Sequence, residues 1–351
     1  MFERQIITEL KKWKKSPARK PLVLRGARQT GKTTVVELFA ENFARYICLN
    51  LERDRDKRVF TDYRSASEIL QSVFLQYDQN WEKRNETLLF IDEIQESAKA
   101  VAMLRYFCEE FPEVYVIAAG SLLETIFDKG VNFPVGRVEF RLLRPFSFAE
   151  FLAAMGENQA LKLYNTVPTP DFAFEKLLQL FHTYTLIGGM SEVVKSYVEN
   201  RDLTALPNIY ESLKSTCFAD AEKYARNQSQ VQIIRHTVKS VFYEAGTRIK
   251  YAGFGASNYG SKEMGEVLRT LEKTMLIRLI FPTTQTSLPF MPDIRKSPRL
   301  QVLDTGMLNF FAGLQLDLFG TRDLNDCYQG KITGHIIGRE FLAAKFNWMN
   351  T

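Results

Sequence analysis

The chain has 351 residues, 45% hydrophobic and 25% charged, which are the proportions of a folded globular protein and exclude wholesale disorder. With 46 Lys+Arg against 41 Asp+Glu, the net charge of +5 admits nucleotide or nucleic-acid partners without selecting them. No apolar run reaches the roughly 20 residues that span a bilayer, and Met1-Phe2-Glu3-Arg4 opens an amphipathic segment, so a cytoplasmic chain with no membrane partner is expected. Cys48, Cys108, Cys217 and Cys327 lie far apart, and only His182, His236 and His335 could join them, which argues against a disulfide framework or a zinc cluster.

Phe2, Ile6, Ile7, Leu10 and Trp13 recur at helical spacing, predicting a helix over 2–14 that Ser16-Pro17 ends. Short apolar strands then alternate with helical stretches. The strands are expected at 22–25, 46–51, 88–92, 114–119 and 138–142, with helices at 33–43 and 98–111. That alternation implies βαβ units and a parallel sheet. After Pro145 the strand signal fades, and helices are expected at 148–155, 172–184, 191–198, 209–224 and 231–243. Residues 250–260 read as loop, followed by a helix at 261–275 and strands at 276–281 and 300–303.

The sharpest motif is Gly26-Ala27-Arg28-Gln29-Thr30-Gly31-Lys32-Thr33, a complete G-x-x-x-x-G-K-T between a strand and a helix. Backbone N–H groups from Gly26 to Thr34 can wrap a β-phosphate, aided by the helix dipole. Lys32 can neutralise β- and γ-phosphate charge, and the Thr33 hydroxyl can ligate Mg²⁺. Downstream, Leu88-Leu89-Phe90-Ile91-Asp92-Glu93 is an apolar strand ending in carboxylates. Asp92 is placed to hold Mg²⁺, and Glu93 to polarise an attacking water as general base.

One strand intervenes in sequence between the loop strand and the Asp92 strand, and this resembles the additional-strand ATPases, including the AAA superfamily. Two further positions take meaning from that resemblance. Ser121, after Ala118-Ala119-Gly120, stands where the superfamily carries a polar sensor, and the competing reading is a strand-end cap. Arg137, after Gly136, stands where an arginine finger or sensor arginine acts, and the competing reading is a surface arginine. More narrowly, Lys20-Pro21-Leu22-Val23-Leu24-Arg25 leading into the phosphate loop resembles the archaeal and bacterial AAA-type ATPases with a C-terminal domain of unknown function. So do Phe90-Ile91-Asp92-Glu93-Ile94-Gln95, Arg144-Pro145-Phe146-Ser147-Phe148-Ala149-Glu150-Phe151, Gly188-Gly189-Met190-Ser191-Glu192 and Lys296-Ser297-Pro298-Arg299-Leu300. Such proteins continue into a restriction-endonuclease-like fold, of which this chain carries a lead-in helix at 339–348.

The expected fold is α/β: a P-loop NTPase core with a parallel five-stranded sheet over 1–155, an α-helical connector over 156–228 and a winged-helix-like domain over 229–325. A truncated lead-in over 326–351 closes the chain. In the winged helix, Met264, Val267, Leu268 and Leu271 form the buried stripe of the 261–275 helix, and its outward Glu263 and Glu266 weaken a case for reading DNA. Asp304-Thr305-Gly306 occurs once, without the second carboxylate an aspartic protease needs, and reads as a strand end with a glycine turn. Gly188-Gly189 reads as a helix-breaking turn. The expected function is Mg²⁺-dependent ATP binding and hydrolysis driving a conformational change. The alternative is a nucleotide-gated switch, linked to DNA or to a protein partner, with little turnover. A small-molecule kinase would need an acceptor carboxylate after the second strand. Asp54 is available, but Arg53, Arg55, Asp56, Lys57 and Arg58 around it read as solvated loop. Lys11–Lys20 reads as a solvated helix end, with a nucleotide-base contact as the minority alternative. Oligomeric state stays open.

Overall fold

The computed structural model describes residues 2–62, 64–121, 134–314 and 333–343. The chain divides into two compact units, Met1–Leu143 and Arg144–Thr351.

The first unit begins with α1 (Ile6–Lys15), which buries Ile6, Ile7, Leu10 and Trp13 and ends at extended Ser16. It starts later than the spacing predicts. β1 (Leu22–Arg25), α2 (Lys32–Ala40), β2 (Arg45–Asn50), α3 (Asp54–Asp62), α4 (Ala66–Gln76), β3 (Thr87–Asp92), α5 (Ala98–Glu110), β4 (Tyr115–Gly120) and β5 (Glu139–Leu142) follow. The five strands form one sheet in the order β2-β3-β4-β1-β5, with every neighbouring pair parallel. β4 therefore separates the strand that feeds the phosphate loop from the strand that ends in Asp92, which is the order an additional strand produces.

Both sheet faces are covered, and alternate residues of each strand serve opposite layers. Leu22, Leu24, Leu88, Phe90, Ile117 and Ala119 pack with α1 and α2. Val23, Ile47, Leu49, Leu89, Ile91 and Val116 pack with α3, α4 and α5. Phe107 on α5 is 1% exposed, and its loss would cost on the order of 3–5 kcal/mol.

The charged cluster after β2 is not a loop. Residues 54–62 form α3, and Asp56 is buried, accepting from the Asn50 amide at 2.9 Å and the Tyr77 hydroxyl at 3.0 Å. A carboxylate with those partners is a structural fastener, and it shows why charge content alone misleads here.

The second unit comprises α6 (Phe148–Ala154), α7 (Asn158–Tyr164), α8 (Phe174–Ile187), α9 (Ser191–Asn200), α10 (Leu206–Glu222), α11 (Gln228–Tyr243) and α12 (Ser261–Lys273). An antiparallel pair, β6 (Ile277–Ile280) and β7 (Arg299–Val302), precedes α13 (Thr305–Phe311) and α14 (Thr333–Ala343). Residues 246–249 lie along β7 through an Arg248–Arg299 bridge, so a rudimentary third strand joins the pair. α14 overlaps the helix expected at 339–348 over 339–343 only, and residues 344–351, like Cys327, lie outside the described residues.

Three of the sequence motifs meet in this unit. Gly188, at φ +71°, ends α8 as a turn. Asp304 caps α13, accepting from the Met307 amide at 3.0 Å, from the Gly189 amide at 2.6 Å and from the Arg339 guanidinium at 2.6 Å. Arg339 also donates to the Phe146 carbonyl at 2.8 Å and to the Tyr184 hydroxyl. The Asp-Thr-Gly triplet is thus a helix cap and ion-pair partner, where a strand-end turn was expected.

Candidate nucleotide-binding site

The C-terminal edge of the parallel sheet gathers the site, because every strand there runs the same way. β1 delivers Arg25 to that edge, and the chain turns through 26–31 before α2 begins at Lys32. Gly26 admits no side chain: a Cβ there would lie 2.5 Å from the Leu143 carbonyl oxygen. Gly31 precedes the helix at φ +88°, a left-handed conformation glycine adopts without steric cost. Gln29 holds a left-handed φ of 61° without that freedom.

Lys32 is buried and donates to the Gly26 carbonyl at 2.9 Å and the Ala27 carbonyl at 3.0 Å, so its ammonium lies inside the loop it follows. Thr30 donates to the Ala27 carbonyl at 2.9 Å, and Arg4 donates to the Thr30 carbonyl at 3.3 Å. Arg28 pairs loosely with Glu52, at 3.6 Å. The N–H groups of the first helical turn have no intrahelical acceptor and point out of the helix start. With Thr34 just inside α2, all of the expected phosphate-loop residues lie on one continuous turn.

β3 brings the second half. The Thr33 hydroxyl donates to Asp92 Oδ2 at 2.7 Å, and the Glu93 amide donates to Asp92 Oδ1 at 3.0 Å. Burial raises the Asp92 carboxyl above its ordinary range, and the Glu93 charge adds to that; the Thr33 hydrogen bond and the Lys32 charge oppose it. A hydroxyl and a carboxylate are hard oxygen donors of the kind Mg²⁺ takes, since it uses few protein oxygens and completes its shell with water and phosphate. Thr33 and Asp92 fit that ion. Among the described residues no cluster of three or more His, Cys, Asp or Glu is placed to hold a metal.

Glu93 sits at φ +51°, left-handed, immediately beyond the strand. The Gln95 side-chain amide donates to its carboxylate, while Gln95 Oε1 is buried with no hydrogen-bond partner among the described residues. Ser121 follows Gly120, the register partner of Arg25, and so stands at the same edge between β1 and β3. It is 2% exposed and its Oγ has no partner among the described residues. A buried hydroxyl is costly to leave unsatisfied, so this one is suited to a ligand oxygen or a water.

Arg137 stands apart from these residues. It precedes β5, at the N-terminal edge of the sheet, and its guanidinium pairs with Glu109 at 2.6 Å on the surface. Within one chain it is separated from the phosphate loop by the length of the strands. Reading the sequence missed two contributors. Arg4 carries no local signal, because its partner is 26 residues away. Gln95 lay within the quoted motif, yet only the fold turns it back onto Glu93.

Residues 18–152 match a family model described as an AAA domain, and residues 178–318 match one described as a domain of unknown function. No curated protein matches the chain. Among solved structures, a Walker-type ATPase of Pyrococcus abyssi is similar over 89% of this chain and 96% of that one, at 15% identity and a TM-score of 0.54. At that identity the likeness is one of fold. The Aeropyrum pernix ORC1 protein, solved in complex with DNA, aligns over 89% of this chain and 93% of its own at 11% identity, with a TM-score of only 0.30. A signal transduction ATPase with numerous domains from Pyrococcus horikoshii aligns over 98% of this chain and 46% of its own at 12% identity and 0.36. Neither of these two bears on function.

Proposed function

We propose that this chain is an AAA-type P-loop ATPase followed by a domain of unknown function, which binds ATP with Mg²⁺ and hydrolyses it to drive a conformational change. The observation that carries the reading is the Thr33–Asp92 hydrogen bond, which joins the phosphate loop to the carboxylate strand across the intervening β4.

In this reading the N–H groups of 27–34 and the Lys32 ammonium bind the β- and γ-phosphates, Lys32 exchanging loop carbonyls for phosphate oxygens. Thr33 and Asp92 would hold Mg²⁺, which would supply neutralising charge to the phosphates. Glu93 takes a proton from the attacking water as its oxygen bonds to the γ-phosphorus. The bond from that phosphorus to the bridging oxygen breaks, and ADP leaves with the electron pair. The Ser121 hydroxyl donates to the γ-phosphate or orients the water. Residues 229–325 are read as a winged-helix-like domain, an assignment supported by the order helix, short strand, helix, strand, strand.

A second reading, a nucleotide-gated switch with slow turnover, is favoured by one contact: the Gln95 amide already engages the Glu93 carboxylate. Steady-state turnover measured beside nucleotide retention on gel filtration separates the two. Lys32→Ala is expected to weaken nucleotide binding. Glu93→Gln is expected to keep binding and lose turnover by about 10²–10⁴-fold. A Glu93→Gln protein as fast as the parent removes Glu93 from the chemistry.

A further inference from the structure

The stretch from Leu10 to Val36 contains no Asp or Glu, and the site just described uses only its second half. Its first half places Lys11, Lys14 and Lys15 on one face at the end of α1. There, with Asn42 and Tyr115, they line an open cleft of about 510 Å³. Asn42 follows the end of α2, and Tyr115 opens β4. The cleft therefore lies at the N-terminal edge of the sheet, while Arg4, before the other end of α1, touches the phosphate loop. This placement also removes the nucleotide-base contact considered for the basic run.

Lys14 is held in place, and the three lysines are neutralised at most by one loose, exposed pair among the described residues. Lys14 lies 4.0 Å over the Phe43 ring and donates to the Asn42 carbonyl. Among the described residues, Lys11 pairs with Glu3 alone, at 3.7 Å and with both side chains at least half exposed, where solvent screens the pair. Lys12 and Lys15 make no ion pair among the described residues. Lys11 and Lys15 are separated by one helical turn, about 6 Å of rise, so their charges form a line and not a point. The Tyr115 ring is taken: Arg19 covers it at 3.8 Å, and Trp13 and Phe43 meet it edge-on. A line of cations without an open aromatic face suits a repeating phosphate backbone and offers nothing to a base.

We propose that the Lys11–Lys14–Lys15 cleft binds the phosphate backbone of a nucleic acid, without sequence preference, at a place distinct from the nucleotide site. The proposal does not depend on ATP hydrolysis, and its test is run without nucleotide. Fluorescence anisotropy of labelled single-stranded DNA, duplex DNA and RNA of one length is measured with the full chain over a salt series. Lys11→Gln/Lys14→Gln/Lys15→Gln is expected to bind at least about tenfold more weakly at low salt. Its slope of log K against log salt is expected to be shallower by about 2–3, since each phosphate contact contributes roughly 0.7–0.9. Lys11→Gln/Lys15→Gln spares the Lys14 contacts with Asn42 and Phe43, and is expected to show about two-thirds of that slope change, which separates lost contacts from a damaged fold. The tighter of the DNA and RNA arms names the source of the backbone.

Three results overturn the proposal. The parent binds none of the three oligonucleotides; the triple variant keeps the parent's affinity and slope; or inorganic phosphate competes as well as oligonucleotide at equal phosphate concentration. Lys32→Ala should bind oligonucleotide as the parent does. If it does not, the oligonucleotide occupies the phosphate loop and the cleft is not the site.

Discussion

Replacing Arg339 with Met removes the cation from a fully enclosed network. Asp304 is 0% exposed and would keep only its amide donors, Gly189 and Met307, while the Phe146 carbonyl and the Thr305 and Tyr184 hydroxyls each lose a donor. Burial works against the Arg339 charge, but the neighbouring Tyr184, Asp304 and Glu340 outweigh it and hold the guanidinium firmly protonated. Breaking a buried pair by removing one partner costs about 3–5 kcal/mol, chiefly because the survivor stays charged without compensation. For a unit of roughly 200 residues that corresponds to a fall in melting temperature of about 6–20 °C. The double variant Arg339→Met/Asp304→Asn discharges the survivor and is expected to recover part of the loss. A denaturant-unfolding cycle over parent, both single variants and the double variant measures the coupling. An Arg339→Met loss below about 1 kcal/mol, with additive singles, would show that the pair behaves as an exposed one and refute the reasoning.

Gln95→Ala is expected to change kcat by roughly an order of magnitude or more with little change in the KM for ATP, because the amide touches Glu93 and not the phosphate loop; a shift confined to KM would place Gln95 outside the chemistry. Arg137→Ala is expected to leave turnover within about twofold of the parent at every protein concentration, as a surface partner of Glu109 should. A loss on the order of 10³-fold, with activity rising on concentration, would make it an arginine finger supplied to a neighbour. His335 is fully buried, and burial together with the Arg339 charge pushes its imidazole down to about 3. Its folded value is lowered, so below the unfolded value of about 6.5 only the unfolded chain takes up the proton, and stability falls with pH by up to about 1.4 kcal/mol per unit. Urea midpoints at pH 7, 6 and 5 should therefore drop faster for the parent than for His335→Gln, and parallel curves would contradict the buried neutral ring.

The phosphate loop was readable because strand, turn and helix are contiguous and each residue acts near its own position. Asp92 and Glu93 were readable because β3 is buried along its whole length, so its sequence is an unbroken apolar run ending at the sheet edge. Other parts were hidden for physical reasons. α3 opens with five charged residues, and its apolar anchors, Val59 and Phe60, come only later, so charge density masked the helix. α4 did carry a signal, since Ala66, Ile69, Leu70 and Val73 share one helical face. The strand at 246–249 is too short for alternation to register. Arg4 and Arg339 act through partners 26 and 35 residues away, and no local pattern encodes a contact of that separation.

The glycines around Asp304 carry a consequence for how this protein can vary. A Cβ on Gly306 would lie 2.1 Å from the Ile187 carbonyl oxygen, and one on Gly189 would lie 2.3 Å from that of Phe146. In both places main chain rests directly on main chain, so there is no side chain whose rotamer could shift to admit a substituent. Intolerance there should be a step and not a gradient: alanine would be nearly as damaging as leucine. A saturation library would show these two positions as closed columns, whereas Lys12 and Lys15, which face solvent, would accept most residues as far as folding is concerned.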